Sequence, residues 1–187
     1  ISSAATAFRA LGFIKRNTRE FTRIQPIIIL YKSLVLPRLE YGSAVWSPFY
    51  TVHKYALERV QRRFLRYIGF KLGIPSSEVN YESLLQTCGL QTLETRRQIS
   101  DISVLHKLLN NGLDSPYLLA KIAFRIPQST RSTLPFLAPF STTNYLLNRP
   151  LRRLPRTANY LTGLNPDLDF FSSPFSSFIS AICASHP

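Results

Sequence analysis

The chain has 187 residues, 45% of them hydrophobic, which is enough for a domain with its own apolar core. Its 23 Lys and Arg against 10 Asp and Glu leave a net charge of +13, and 17 of the bases are Arg, the side chain that grips phosphate bidentately and stacks on rings. Such a surface favours polyanions, nucleic acid above all; no run approaches the roughly 20 apolar residues of a membrane span, and no secretory pattern is seen.

In chain order, residues 3–16 read as a helix, with Ser3 as cap and Ala7, Leu11 and Ile14 at helical spacing. Lys15, Arg16 and Arg19 fall at or just past its end, where cations complement the helix dipole. A second helix starts near Arg23 with Pro26 in its first turn, and Pro37 interrupts it. The pattern then resumes through Leu39, Tyr41 and Val45 to Trp46, and Ser47-Pro48 is a turn.

The stretch from His53 to Ile68, HKYALERVQRRFLRYI, is the clearest amphipathic helix. Leu57, Val60, Phe64 and Ile68 share one face. Lys54, Arg59, Arg62, Arg63 and Arg66 lie mostly on the other, with Glu58 the only acid among them. These five bases are candidate phosphate contacts; the alternative is a plain solvated face. Gly69 is placed as a left-handed cap. Ser76 or Ser77 caps a short helix through Leu85 and Cys88, closed by Gly89. Thr92 caps a longer one from Leu93 to Asn110, with Ile102, Leu105, Leu108 and Leu109 apolar and Ile99 on the flank. Asp114-Ser115-Pro116 starts another, to about Phe124.

The character changes after Phe124. Six prolines from Pro127 to Pro166 exclude a long helix, and no acid lies between Asp114 and Asp167. That interval carries Lys121, Arg125, Arg131, Arg149, Arg152, Arg153 and Arg156, interleaved with Phe136, Phe140, Tyr145 and Tyr160. Arginine among aromatics suits single-stranded nucleic acid or a hybrid duplex, and Arg131, Arg149, Arg152, Arg153 and Arg156 join the candidate contacts. The alternative is a loop-rich arm whose rings pack on the helical part. In the tail, Phe175, Phe178, Ile179 and Ile182 fit a turn or two of poorly anchored helix. The fold class expected is all-α, with a helical domain over 1–124 and an irregular Pro/Arg-rich extension over 125–187.

Catalytic signatures are lacking. There is no Gly-rich phosphate loop, no Gly-x-Ser-x-Gly nucleophile and no adjacent carboxylate pair to hold magnesium. Asp167 and Asp169 read as capping or solvated, and Glu40 and Glu58 as salt-bridge partners of Arg38 and Arg62. Cys88 and Cys183 are two and far apart, so free thiols in a reducing compartment are expected over a disulfide. The scattered His53, His106 and His186 give no metal site, and no cofactor is expected. The chain opens on Ile and contains no Met, from which we expect a piece of something longer or a degraded gene remnant.

Three blocks carry a resemblance: LYKSLVLPRLEYGSAVWSP at 30–48, LERVQRRFLRYI at 57–68 and GLQTLETRRQISDISVLHKLLN at 89–110. Together they resemble the region after the polymerase palm in non-LTR (LINE-like, jockey-type) retrotransposon reverse transcriptases. AFRALGFIKRNTREF at 7–21 is similar to the helix that opens their thumb, and residues 130–161 to their C-terminal segment. The resemblance implies a thumb-like helical domain that grips template–primer or element RNA, with RNA, DNA or an RNA–DNA hybrid and an upstream palm as partners, and an intracellular setting, by analogy nuclear. In that family the palm holds the magnesium-binding aspartates. This sequence has no Asp-Asp, so no enzyme activity is implied for the chain alone, and no zinc, since the Cys/His knuckle of some relatives is missing. On this reading the bases of 53–68 track a hybrid's phosphates, over a core of Leu39, Tyr41, Val45, Trp46, Leu57, Val60, Phe64 and Ile68. The alternative is a helical protein-interaction module or a non-functional remnant.

Overall fold

The computed structural model describes residues 2–125, 134–138 and 140–185. The described residues form helices α1 (Ser2–Asn17), α2 (Gln25–Leu34), α3 (Leu36–Glu40), α4 (Ser43–Trp46), α5 (Thr51–Lys71), α6 (Tyr81–Cys88), α7 (Leu93–Leu109), α8 (Pro116–Leu119), α9 (Asn144–Leu147), α10 (Pro150–Leu164) and α11 (Phe175–Ser185). The fold is all-α; the only extended pairing among the described residues is an isolated antiparallel bridge between Phe124 and Phe136. None of these helices is long and apolar enough to cross a membrane. The chain divides into two compact units, Ile1–Gly42 with Pro48–Arg96, and Ser43–Ser47 with Arg97–Pro187.

In the first unit, α5 packs on α1 and α6. Leu57, Val60, Phe64, Leu65 and Ile68 of α5 are buried against Leu11 and Ile14 of α1, Ile27 and Tyr31 of α2, and Leu84 and Leu85 of α6. Tyr31 stacks flat on Phe64, ring centroids 3.9 Å apart, and its hydroxyl donates to Gln61 Oε1 at 3.0 Å, so its one polar group is satisfied inside the core. Pro37 interrupts as expected: α2 stops at Leu34 and α3 restarts with Pro37 in its first turn.

Helix α3 does not resume through to Trp46. It ends at Glu40, and Gly42 takes φ 65°, which turns the chain out of the helix. Tyr41, Val45 and Trp46 are consequently exposed, at 87%, 73% and 39%, and do not belong to the core assigned to them, whereas Leu39 does. The cap of α5 also lies elsewhere than expected. Gly69 is buried within the helix, and Gly73, at φ 72°, is the left-handed residue. The amide of Ile74 bonds the carbonyl of Gly69 at 2.9 Å and that of Gly73 bonds Phe70 at 3.1 Å, the paired bonds of a Schellman ending. Asn80, rather than Ser76 or Ser77, caps α6. Gly89 (φ 56°) closes it, and Thr92 caps α7 through its hydroxyl, both as read from the sequence.

The second unit is where the sequence misleads most. Residues 150–164 form a 15-residue helix despite Pro150 and Pro155. Pro150 sits at the first position, where no N–H is needed. Pro155 lies inside and forfeits one helical bond, at a cost of about 3 kcal/mol. Burial of Leu154 and Leu161, at roughly 1.5–3 kcal/mol each, offsets it. The extension is therefore not an irregular arm. Ile102, Leu105 and Leu108 of α7 join Ile122, Phe136, Leu154, Leu161, Phe170, Phe178 and Ile182 in one cluster. Position 124/125 lies inside this unit, because Ile122 and Phe136 share that cluster. The tail is anchored too: Phe178 of α11 is buried edge-on to Phe170, centroids 5.1 Å apart. Helix α8, by contrast, ends at Leu119, short of Phe124.

Candidate nucleic-acid interface

Within the first unit the heptad-like spacing of α5 separates two faces. Leu57, Val60, Gln61, Phe64, Leu65 and Ile68 are buried on one. Arg59, Arg62, Arg63 and Arg66 are exposed on the other, together with Tyr55 and Phe70. Steps of three and four residues from Arg59 through Arg63 and Arg66 to Phe70 keep these side chains on one line. Helix α1 runs beside that line and adds Lys15. Between the two helices lies a cleft of about 700 Å³ lined by Lys15, Tyr55, Arg59, Arg62, Arg63, Arg66, Tyr67 and Phe70. The groove continues past Gly12 and Leu11 in one direction, and past Arg16, Arg19 and Lys71 in the other. No acid lines any of it.

Several of these groups are held in place. Tyr67 is the post between the helices: its ring lies 5.3 Å from the Lys15 ammonium and 5.8 Å from that of Lys71, and its hydroxyl meets that of Thr18 at 2.9 Å. Lys71 also donates to the carbonyls of Arg19 and Phe21. Arg62 rests 4.9 Å from the Tyr81 ring and 5.9 Å from that of Tyr55. Tyr81 is itself fixed by donating to the Glu58 carboxylate, whose other oxygen accepts from the amide of Leu93. Glu58 therefore faces away from the cleft, and it is Tyr81 and Leu93, rather than Arg62, that it bonds. Burial, and then the charge of Arg63, hold the Lys15 ammonium below the ordinary lysine value. Like charges crowded into one recess raise the local positive potential.

The candidate residues divide among three situations. Arg59, Arg62, Arg63 and Arg66 come together at the cleft, and none takes part in an ion pair among the described residues. Lys54 does not join them. It lies off the basic line and pairs with Glu94. Likewise Glu40 bonds Arg96 rather than Arg38. In the second unit, Arg149 is exposed beside the Tyr145 ring at 4.9 Å, Arg152 donates to the Phe140 carbonyl at 3.4 Å, and Arg156 donates to Asn148 Oδ1 at 3.3 Å. Burial and the neighbouring Arg153 lower the Arg156 pKa from its ordinary value.

Arg153 itself is a correction. It is 7% exposed, and its guanidinium donates to both Asp101 oxygens (2.7 and 3.0 Å), to the Ala44 carbonyl (2.6 Å) and to the Asn148 carbonyl (2.9 Å). With those bonds made, it holds α10 to α7 and α4 and offers nothing to a ligand. Arg131 lies outside the described residues. Asp169 accepts from the amides of Phe171 and Ser172, which lower its pKa.

The sequence reading missed Lys15, Arg16, Arg19, Tyr55, Tyr67, Phe70 and Lys71 as cleft residues. The signal for Tyr55 and Phe70 was present, since each falls four residues beyond the ends of the basic line. The contribution of α1 was not, because only packing brings it beside α5. The chain matches no protein-family model, and comparison with curated proteins and with solved structures returned no match.

Proposed function

We propose that this chain is a nucleic-acid-gripping part of a non-LTR retrotransposon reverse transcriptase, from the region that follows the palm, and that it supplies grip rather than chemistry. The observation that carries the grip is the acid-free line of Arg59, Arg62, Arg63 and Arg66, set opposite the core of α5 and joined by Lys15 across the cleft. Arginines in such a line meet successive phosphates, release counterions and bind without reading sequence. The assignment to a reverse transcriptase rests on the resemblance of the 30–48, 57–68 and 89–110 blocks, and the catalytic carboxylates would come from the palm that precedes this region in that family.

The test is binding of an RNA–DNA hybrid and of single-stranded RNA by the purified chain, beside a variant with Arg59, Arg62 and Arg63 all changed to Ala. The reading expects salt-sensitive binding that the triple variant weakens strongly. Equal binding by the two proteins would refute it.

A further inference from the structure

The cleft between α1 and α5 is more specific than a basic surface. We propose that it holds a single strand of nucleic acid, with Arg59, Arg62, Arg63 and Arg66 along its phosphates and Phe70 as the platform on which a base stacks. This rests on the nucleic-acid reading above and narrows it from polyanion to unpaired strand.

Three observations support it. First, the bases line a recess rather than a convex face. Two packed helices, about 8–10 Å between axes, leave a narrow groove between them, which suits one strand better than a duplex. Second, Phe70 is 76% exposed inside the basic cleft and adds nothing to the core. Bases in a duplex are already stacked on one another, whereas an unpaired base has a free face for a ring. Third, the other two rings are engaged. Tyr67 lies under Lys15 and Lys71, and Tyr55 beside Arg62. Phe70 has no ring or cation partner among the described residues, and it ends the arginine line, about 16 Å along the helix from Arg59. Phosphates along that line place a base at its end. Stacking is indifferent to base identity, so the cleft tolerates any sequence.

The experiment uses the full chain and one RNA oligonucleotide, presented free and annealed to complementary DNA, with affinities measured at fixed salt. The free strand is expected to bind roughly ten-fold tighter or better, Phe70→Ala to lose roughly ten-fold on the free strand, and Phe70→Trp to restore it. Because Phe70 is exposed, each variant is expected to keep its helical circular dichroism, which is measured alongside. Equal or tighter binding of the hybrid, or an unchanged free-strand affinity in Phe70→Ala, overturns the single-strand assignment and leaves the grip standing. Absence of salt-sensitive binding to either form removes the grip itself.

Discussion

Arg153 and Arg62 carry the same charge to opposite ends. Arg153 is enclosed and bonded to Asp101, Ala44 and Asn148, while Arg62 lies exposed between two tyrosine rings at the cleft. Burial pushes the Asp101 carboxyl up, and the bonds from Arg153 pull it back, so removing the arginine leaves a buried acid with only the charge of Arg97 to offset its burial. We predict that Arg153→Ala destabilises the protein by about 3–5 kcal/mol in chemical denaturation. Arg153→Met combined with Asp101→Leu should recover most of that loss. A second residue-scale prediction concerns Lys15. Its folded-state pKa is lowered, so as pH rises toward the ordinary value of 10.5 it loses its proton in the folded protein before it would in the unfolded chain. The unfolded state then binds more protons, and this group contributes stability that grows with pH through that window. A phosphate in the cleft favours the charged form, so affinity should fall as pH rises through the same window. Lys15→Arg should flatten that pH dependence, as read from binding titrations across it.

At the scale of elements, α5 was legible because its two faces follow helical periodicity over five turns. Its ending was not. The cap read at Gly69 falls instead at Gly73, and Val79 and Leu84 pack over Gly69, where a β-carbon would meet Val79 Cγ2 at 3.3 Å. At Gly73 the backbone is left-handed, with open space around it. We therefore predict that Gly73→Ala costs about 1–2 kcal/mol by thermal or chemical denaturation, from backbone strain alone. Helix α10 is the complementary case. Its prolines spoke against a helix, yet the stripe of Leu154, Ala158 and Leu161 runs through them, and burial of that stripe outweighs the local preference. Counting the apolar spacing across Pro155 rather than stopping at it would have found the helix.

For the whole molecule, the all-α class and most helices of the first unit could be read from spacing and caps alone. The division into two units could not, because α7 is one unbroken periodic run that contributes Leu93 to the first core and Ile102, Leu105 and Leu108 to the second. The site was half legible for the same reason. Arg59, Arg62, Arg63 and Arg66 share a helix and could be grouped by sequence, whereas Lys15 meets them only after α1 packs on α5. On the proposed function, this packed cleft, rather than net charge at large, grips nucleic acid. The most direct test is the slope of log affinity against log salt for single-stranded RNA. It compares the wild-type chain with Arg59, Arg62 and Arg63 changed to Ala, and with a control in which the exposed Arg9, Arg23 and Arg38 are changed instead. Both variants lose the same charge. The cleft variant is expected to flatten the slope by about 2, one phosphate contact per arginine at about 0.7 each, while the control stays near the wild-type slope. Equal slopes for the two variants would contradict it.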